Sequence, residues 1–400
     1  MARKPVSVFK RPMTRKGQSR YYVKLWDAAG GRYMTAHSAA AVALELGLNP
    51  MEFPSGTRTG AYLIGEELRK RGGSRRSVSP LLLVDYCATF WTWETSAYVQ
   101  GKLARGQRIG KEYVRNNSLF VEKYIRPAFT VLQLSAMRPY MIEDFTMRLK
   151  SGTGLSHSAI NGITSALVVP LHEAARLGLI DSDPAAGVRK LGNNAHEKGI
   201  PSANEVRALV ALPSLDPRVR GAIFLGAACA MRLGEVLALR ADAIRDETLT
   251  IAQSWSKVEG LKGTKTGRIR VVPLPQMVRE ALLSLDASNP HGRGLFLFYG
   301  LKPNVPMDSR AVENLFYSAL EQIGIDEDTR KERNLTFHSL RHWSNATLRG
   351  AVADKTLRLL TGHSSSAMTD RYDHATAADL ADLRDAQEAK ILPFLQVSGQ

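Results

Sequence analysis

The strongest constraint on the fold is an apolar stripe within residues 157–178. Apolar side chains recur there at spacings of three and four residues, at Ile160, Ile163, Leu167, Val168, Leu171 and Ala174. That period places them on one face of an α-helix and predicts that this face is buried. Gly178 follows the stripe, and glycine readily ends a helix in the left-handed conformation. The stripe therefore predicts a long helix packed within a helical domain.

Three segments upstream extend this helical domain. Residues 80–93, 109–126 and 138–150 also predict helices, so we expect residues 77–182 to form an all-α domain. Basic side chains cluster on the second helix and on its approach. We expect Arg108, Lys111 and Arg115 among them to face nucleic-acid phosphates, with a solvated helix face as the alternative.

The N-terminal part of the chain has a different pattern. Residues 5–10, 19–26 and 32–36 are rich in β-branched and aromatic side chains, which predicts a three-stranded sheet. A helix over about 39–46, with Ser38 as its N-cap, is expected to back the sheet.

Charge points to the partner of this N-terminal part. Residues 1–76 hold 15 Lys and Arg against 5 Asp and Glu, or +10 of the chain's net charge of +16. Because strands can enter a DNA groove while basic residues contact phosphates, we predict a DNA-binding domain here. The alternative for any single residue is a solvated basic face over an aromatic core. The candidate DNA contacts are Arg11, Arg15, Lys16, Arg20 and Lys24.

A linker and a mixed domain follow the helical part. Residues 183–201 contain Gly, Asn and Pro without periodicity, which predicts an interdomain linker. Ser202 and Glu205 then have the spacing of a capping box, so a helix should begin directly after Ser202. Residues 202–375 alternate predicted helices with short strands around 248–252 and 268–274. The expected fold is therefore multidomain and mainly α, with a mixed α+β third domain that holds a short antiparallel sheet.

Composition narrows the class of protein. A net charge of +16 in a chain that is 44% hydrophobic favours a globular protein with a polyanionic partner. No apolar run approaches the roughly 20 residues that a membrane helix needs, and we expect a cytoplasmic protein with no membrane partner. Cys87 and Cys229 lie in apolar surroundings and are predicted to be buried thiols. The chain lacks clustered metal-ligand spacing, so no metal site is expected.

Residues 336–374 contain the side chains that a phosphate-attacking site needs. His338 and Arg341 are three residues apart and so share one face of a predicted helix. A Gly-His turn containing His363 follows, and Tyr372 lies nine residues after that histidine. Two basic groups can hold a phosphate, and a tyrosine phenol can attack it.

Two earlier motifs add further basic groups. Arg232 ends an apolar helix next to a glycine, and Glu235 lies three residues on, where it can orient the guanidinium or form a structural ion pair. Lys265 precedes a Thr-Gly turn and Arg268 follows it, in a segment that predicts a β-hairpin closing at Pro273. A hairpin lysine is solvated in most proteins, but it can also reach a bound DNA backbone.

Together these motifs resemble the tyrosine recombinases, the phage-type integrase family. The matching stretches are Met-Arg-Leu-Gly-Glu-Val-Leu, Thr-Lys-Thr-Gly-Arg, His-Ser-Leu-Arg-His and Leu-Thr-Gly-His-Ser, followed by Tyr372. The resemblance covers residues 203–375. In position and helicity, residues 80–180 resemble the family's core-binding domain, and residues 1–50 resemble the arm-site-binding domain that some integrases carry. The resemblance implies that the catalytic residues are Arg232, Lys265, His338, Arg341, His363 and Tyr372, with Glu235 in support.

The implied chemistry requires no cofactor, metal or ATP. Tyr372 would attack a DNA phosphodiester and form a 3′-phosphotyrosine link, while Arg232 and Arg341 would bind the non-bridging oxygens. Lys265 would protonate the departing 5′-oxygen, His338 would accept the tyrosine proton, and His363 would donate to the phosphate. The covalent link keeps the energy of the broken phosphodiester for rejoining.

The implied partners are double-stranded DNA and three further copies of the chain, in a tetramer formed on DNA. We also expect accessory DNA-bending or excision factors. The expected location is nucleoid-associated, in a prokaryote, for a protein that the prokaryote or a phage encodes.

The tail, residues 376–400, can pack on its own domain, but the resemblance implies docking on a neighbouring subunit. We expect an integrase of a mobile element. The alternatives are a type IB topoisomerase-like enzyme and a non-catalytic DNA-binding protein of the same fold.

Overall fold

The computed structural model describes residues 4–12, 19–71, 81–192, 198–264, 267, 269–362 and 376–396. The chain divides into two compact units, Met1–Ala195 and His196–Gln400. The division falls within residues 183–201, the segment predicted to be a linker. The multidomain, mainly α architecture with small antiparallel sheets agrees with the prediction.

The first unit begins with a small antiparallel sheet. Its strands are β1 Val6–Pro12, β2 Ser19–Asp27, β3 Arg32–Tyr33 and β4 His37–Ser38. β1 and β3 each pair with β2, and β4 also pairs with β2. Two helices, α1 Ala39–Glu45 and α2 Arg58–Lys70, contribute Val42 and Ile64 to a core shared with Val6 and Val23. The predicted sheet is therefore present, although its third strand is shorter than predicted and β4 was missed.

The rest of the first unit is helical, as predicted. Its helices are α3 Leu83–Phe90, α4 Ala97–Ala104, α5 Lys111–Phe120, α6 Arg126–Ala128, α7 Pro139–Gly152 and α8 His157–Leu177. A π-helical segment, Val121–Ile125, joins α5 to α6. Helix α4 was not predicted, because Val99 is its single buried residue and it has no apolar stripe.

Helix α8 follows the predicted apolar stripe closely. The fully buried side chains on it include Ile160, Leu167 and Leu171, whereas Val168 is partly buried. Gly178 ends the helix with φ +81°, the left-handed conformation expected of a glycine C-cap. The buried thiol of Cys87 lies in the same core, as predicted.

The second unit is a mixed α+β domain. Its helices are α9 Ala203–Ala211, α10 Pro217–Ala228, α11 Leu233–Leu237, α12 Gln276–Ala287, α13 Ser309–Gln322, α14 Glu327–Glu332, α15 His338–Leu348, α16 Asp354–Thr361, α17 Ala377–Lys390 and α18 Leu392–Leu395. Ser202 and Glu205 form the predicted capping box at the start of α9. Helix α10 is central, with its segment 221–228 entirely buried, and it packs against α12, α13 and α15.

The strands of this unit are β5 Ile244–Arg245, β6 Thr248–Ile251, β7 Gln253–Ser256, β8 Gly260–Gly263 and β9 Arg270–Pro273. β5, β6 and β9 form one antiparallel sheet, and β7 and β8 form another. The predicted hairpin between β8 and β9 is therefore wrong. β9 pairs instead with β6, placing Val272 opposite Leu249, and both side chains are fully buried. Core burial, rather than the local Thr-Gly turn, selects the partner strand.

The tail packs on its own domain. The fully buried side chains in the same core as α10 include Leu383 on α17, Ile391 between α17 and α18, and Leu395 on α18. The tail of this single chain therefore packs within its own subunit, which is one of the two arrangements expected from the sequence. Among the helices that the structure describes, none combines the length and hydrophobicity needed to cross a membrane.

Candidate active site

The turn between α10 and α11 presents Arg232. Ala230, two residues earlier, has φ +49°, a left-handed conformation that costs a non-glycine residue about 1 kcal/mol or more. The surrounding contacts hold it, including a hydrogen bond from the Met231 N–H to the Leu225 carbonyl at 3.2 Å. Strained backbone of this kind is concentrated at functional sites. The turn directs Arg232 away from the interior, and one quarter of its side chain is exposed.

Glu235 holds Arg232 at two points. Its Oε1 accepts a hydrogen bond from Arg232 Nη1 at 2.9 Å, and its Oε2 accepts one from the Arg232 backbone N–H at 3.0 Å. The carboxylate is 1% exposed. A buried carboxylate with these bonds restricts both the backbone and the guanidinium of Arg232, as a residue in a supporting role would.

A second arginine, Arg270 on β9, binds the same carboxylate. Its Nη1 and Nη2 donate to Glu235 Oε1 and Oε2 at 3.1 and 2.7 Å, and its Nε donates to the Leu360 carbonyl at 3.2 Å. Arg268 was predicted from the sequence, whereas Arg270 was not. Strand alternation could have found it, because Arg270 precedes Val272 by two residues and so shares its inward face.

The charge balance explains the ionisation of Glu235. Burial alone would raise its pKa, but the hydrogen bonds and charge of Arg270, together with the Arg232 backbone bond and charge, lower the pKa to about 2. The carboxylate is therefore ionised at neutral pH. Its single negative charge neutralises one of the two guanidinium charges in contact with it.

Arg341 on α15 adds a third guanidinium to this region. Its side chain is 2% exposed, and it donates from Nη1 to the Ala230 carbonyl and from Nη2 to the Thr361 carbonyl. Burial, then the charges of Arg232 and Arg270, lower the pKa of Arg341 to about 9, which leaves it protonated at neutral pH. Three cationic side chains therefore lie near one carboxylate, and the excess positive charge favours binding of an anion.

His338 lies one turn before Arg341 on α15. Burial is the largest cause that lowers its pKa, to about 4, and the positive charges of His342, Arg341 and Arg232 act in the same direction. The rings of His338 and His342 pack edge to face with centroids 4.8 Å apart. At neutral pH the imidazole of His338 is therefore uncharged, the form that can accept a proton.

Several predicted site residues lie outside the described residues. They are Lys265, Arg268, His363 and Tyr372 in the second unit, and Arg15 and Lys16 in the first. Gly362, which ends α16 with φ +61°, directly precedes His363 in the sequence. The structure thus brings together Arg232, Glu235, His338 and Arg341 of the predicted set.

The predicted DNA contacts of the N-terminal sheet fall into two groups. Arg11 is exposed and lies over the rings of Phe9 and Tyr22, 5.2 and 4.8 Å from their centroids. Lys24 lies over Phe9 and Tyr33 at 5.4 and 4.6 Å. These residues form an aromatic and basic sheet face.

Arg20 has a different environment from Arg11 and Lys24. It donates to the carbonyl of Ile180 at 2.8 Å and to the carbonyl of Ala175, near the C-terminal end of α8. A guanidinium commonly satisfies the last carbonyls of a helix in this way. The side chain of Arg20 therefore joins the sheet to the helical part of the first unit.

The predicted contacts of the helical part are exposed. Arg108, Lys111 and Arg115 lie at the approach to α5 and on its first two turns. Lys111 is also 5.5 Å from the centroid of the Trp93 ring. An exposed basic face of this kind suits a phosphate backbone as well as water.

Comparisons with known sequences agree with the motifs of the second unit. Residues 202–379 match the phage integrase family. Tyrosine recombinase XerD of Corynebacterium glutamicum is 26% identical over 260 residues, which is 60% of this chain and 80% of that protein. The integrase of Escherichia phage HK022 is 27% identical over 214 residues, which is 52% of this chain and 56% of the phage protein.

Known structures share the fold over most of the chain. A Tn1549 transposon integrase in complex with a circular intermediate DNA matches with a TM-score of 0.54 at 17% identity, covering 77% of this chain and 99% of that one. A lambda integrase tetramer bound to a Holliday junction matches with a TM-score of 0.54 at 17% identity, covering 88% and 96%. At such identities the likeness concerns the fold alone.

Proposed function

We propose that the chain is a tyrosine recombinase, since residues 202–379 match the phage integrase family, and that it cuts and rejoins DNA at specific sites through a phosphotyrosine intermediate. We further propose that its biological role is to integrate and excise a mobile genetic element. The combination of a basic N-terminal sheet, a helical domain and the integrase domain suits this role better than the resolution of chromosome dimers, for which the N-terminal part is not needed.

The observation that carries the proposal is the cationic centre around Glu235. Arg232 and Arg270 share one buried carboxylate and Arg341 lies near it, so the site has an excess of positive charge that a phosphodiester would neutralise. Charge-assisted hydrogen bonds from guanidinium groups to phosphate oxygens are among the stronger polar contacts in proteins. Arg232 and Arg341 are the residues to which we assign the two non-bridging oxygens.

The proposed reaction exchanges one phosphate ester for another. The phenolic oxygen of Tyr372 forms a bond to phosphorus, the bond from phosphorus to the 5′-oxygen breaks, and the free 5′-hydroxyl leaves. His338, neutral at physiological pH, accepts the phenolic proton, and Lys265 supplies the proton for the 5′-oxygen. His363 donates to the phosphate. Attack by the 5′-hydroxyl of another strand reverses these steps, so no ATP is consumed.

DNA binding is assigned to basic faces of the first unit. Arg11 and Lys24 on the aromatic and basic sheet face would contact separate DNA sites, together with Arg15 and Lys16. Arg20 can join them only by giving up its bonds to Ile180 and Ala175. Arg108, Lys111 and Arg115 of the helical part, and Arg268 of the integrase domain, would contact the DNA near the cleaved bond.

We propose a homotetramer as the assembly that exchanges strands. Integrases with this fold have been seen on DNA, and the lambda integrase as a tetramer on a Holliday junction. Docking of the tail on a neighbouring subunit stays a prediction for that state. The apolar side chains that the tail buries on its own domain, Leu383, Ile391 and Leu395, would then be buried against the neighbour. Accessory DNA-bending or excision factors would act on this assembly.

The proposal is tested with nicked suicide duplexes built from the DNA that flanks the gene. We expect the wild-type protein to form a protein–DNA adduct that resists SDS, and Tyr372→Phe to bind the duplex without forming it. Products that join two different duplexes would then separate a recombinase from a topoisomerase-like enzyme. An adduct that persists with Tyr372→Phe would refute the assignment of the nucleophile. Intact DNA binding with no adduct on any flanking duplex would favour the non-catalytic alternative.

A further inference from the structure

Arg270 links two parts of the site that are distant in the sequence. Its Nη1 and Nη2 bind both oxygens of Glu235, and its Nε binds the carbonyl of Leu360 at the last turn of α16. Only 10% of the side chain is exposed. A planar guanidinium can hold a carboxylate and a carbonyl in one fixed arrangement, which a lysine ammonium cannot do.

On one side, Arg270 acts on the residue that holds Arg232. Oε1 of Glu235 accepts from both Arg232 Nη1 and Arg270 Nη1, while Oε2 accepts from the Arg232 backbone and Arg270 Nη2. The bidentate bond from Arg270 therefore fixes the rotation of the carboxylate. The orientation of Arg232 follows from that rotation.

On the other side, Arg270 acts near the backbone that holds Arg341. Leu360 immediately precedes Thr361, whose carbonyl accepts from Arg341. Gly362 packs closely on the same side chain, since a Cβ built there would lie 3.3 Å from Arg270 Cδ. The chain continues from Gly362 to His363 and Tyr372.

We propose that Arg270 is a positioning residue that sets the distance and orientation between Arg232 and Arg341 for one phosphate. This inference rests on the proposed function. The bonds of Arg270 to Glu235 and Leu360 join the α10–α11 turn to the end of α16. One rigid guanidinium therefore fixes the positions of both phosphate-binding arginines. Arg270 does not itself contact the phosphate in this assignment. Its loss should therefore slow the chemical step and leave DNA affinity nearly unchanged.

The first test compares Arg270→Lys with wild type on the suicide duplex that yields the wild-type adduct. At saturating protein we expect adduct formation to be about 100-fold slower, with the Kd for the duplex within threefold of wild type. The matched control is Arg384→Lys, which alters an arginine paired with Glu247 on the surface of the same unit. The control should react within twofold of wild type. A rate for Arg270→Lys within threefold of wild type would overturn the inference.

A second readout separates positioning from folding. A methylphosphonate at the mapped cleavage position removes the phosphate charge that Arg232 and Arg341 must neutralise. If Arg270 acts by placing them, the ratio of wild-type to Arg270→Lys rates should fall from about 100 to below about 10 on this substrate. A merely structural defect would reduce the rate by the same factor on both substrates, and that result would contradict the proposal.

A double variant covers the case in which Arg270→Lys fails to fold. Glu235→Gln with Arg270→Gln removes both members of the buried pair, so neither of these two charges is left buried alone, although Arg232 loses its ionic partner. We expect this variant to fold and bind DNA but to form adduct as slowly as the single variant. Recovery of the wild-type rate would mean that Arg270 serves only to neutralise Glu235. Absence of an adduct from the wild-type protein would instead count against the proposed function.

Discussion

The side-chain amide of Gln387 donates a 2.8 Å hydrogen bond to the carbonyl of Ala228, joining the tail helix α17 to the last residue of α10. Both residues are fully buried. Ala228 lies directly before the turn that carries Ala230 and Arg232. The tail helix therefore supports the turn that presents a proposed phosphate-binding arginine.

Replacing Gln387 should weaken this support. Gln387→Met keeps a buried side chain of similar length but leaves the Ala228 carbonyl unpaired, so we expect the free energy of unfolding to fall by about 1 kcal/mol. Adduct formation should become about tenfold slower, as about 1.4 kcal/mol of lost positioning would predict. Urea denaturation and the suicide-duplex assay measure the two effects. The neighbouring exposed residue gives a control, Glu388→Ala, and equal effects of both changes would argue against a specific role for Gln387.

Adduct formation should be highly sensitive to substitution of Arg341, although only 2% of this residue is exposed. Arg341→Lys keeps a positive charge but cannot bind the carbonyls of Ala230 and Thr361 together while also reaching a phosphate. We expect adduct formation to fall by about 100-fold, the loss typical of one preorganised donor. Arg349→Lys, at the exposed end of the same helix, is the control. A rate for Arg341→Lys within fivefold of wild type would remove Arg341 from the catalytic assignment.

The pH dependence of adduct formation should reflect the environment of His338. Its pKa is lowered from 6.5 to about 4, so the imidazole stays neutral and able to accept a proton as the pH falls through 6.5. We expect the single-turnover rate to show no loss with a midpoint near 6.5 when measured from pH 8 down to pH 5.5. An ordinary histidine base would lose about half its activity at its pKa of about 6.5. A midpoint near 6.5 would show that His338 is more solvated in the DNA complex, or that another group is the base.

Stability should decrease in acid because of Glu235. The folded-state pKa is depressed to about 2 from 4.5, so this carboxylate contributes stability above pH 4.5 that is lost as the pH falls toward 2. At pH 7, Glu235→Gln should lower the free energy of unfolding by about 3 kcal/mol, because Arg270 loses its buried partner. The difference between variant and wild type should narrow between pH 4.5 and pH 3 in urea denaturation. A difference that is constant with pH would contradict the pKa assignment.

The sequence predicted those parts of the fold that depend on local patterns. The stripe of residues 157–178 became α8, the capping box at Ser202 begins α9, and the helix predicted to carry His338 and Arg341 became α15. Each of these elements is specified by its own side chains, through apolar spacing or a cap. Short elements without such signals, including α4 and β4, were missed.

The motif residues were also identifiable from the sequence, since the order Arg232, His338, Arg341 and Tyr372 is a one-dimensional pattern. The bonds that place Arg232 and Arg341 were not. Arg270 and Glu235 are 35 residues apart, and Arg341 and Ala230 are 111 apart. No local rule pairs residues at such separations.

The tertiary structure alone decided which strand β9 pairs with and which arginine holds Glu235. A Thr-Gly turn favours a hairpin locally, but burying Val272 against Leu249 places β9 beside β6 and directs Arg270 toward Glu235. The sequence by itself determined the fold class and the longer helices, and it predicted the chemical groups of the site. The positions of those groups were decided by packing, because burial of apolar surface is gained between segments that are distant in the chain and local propensity does not encode it.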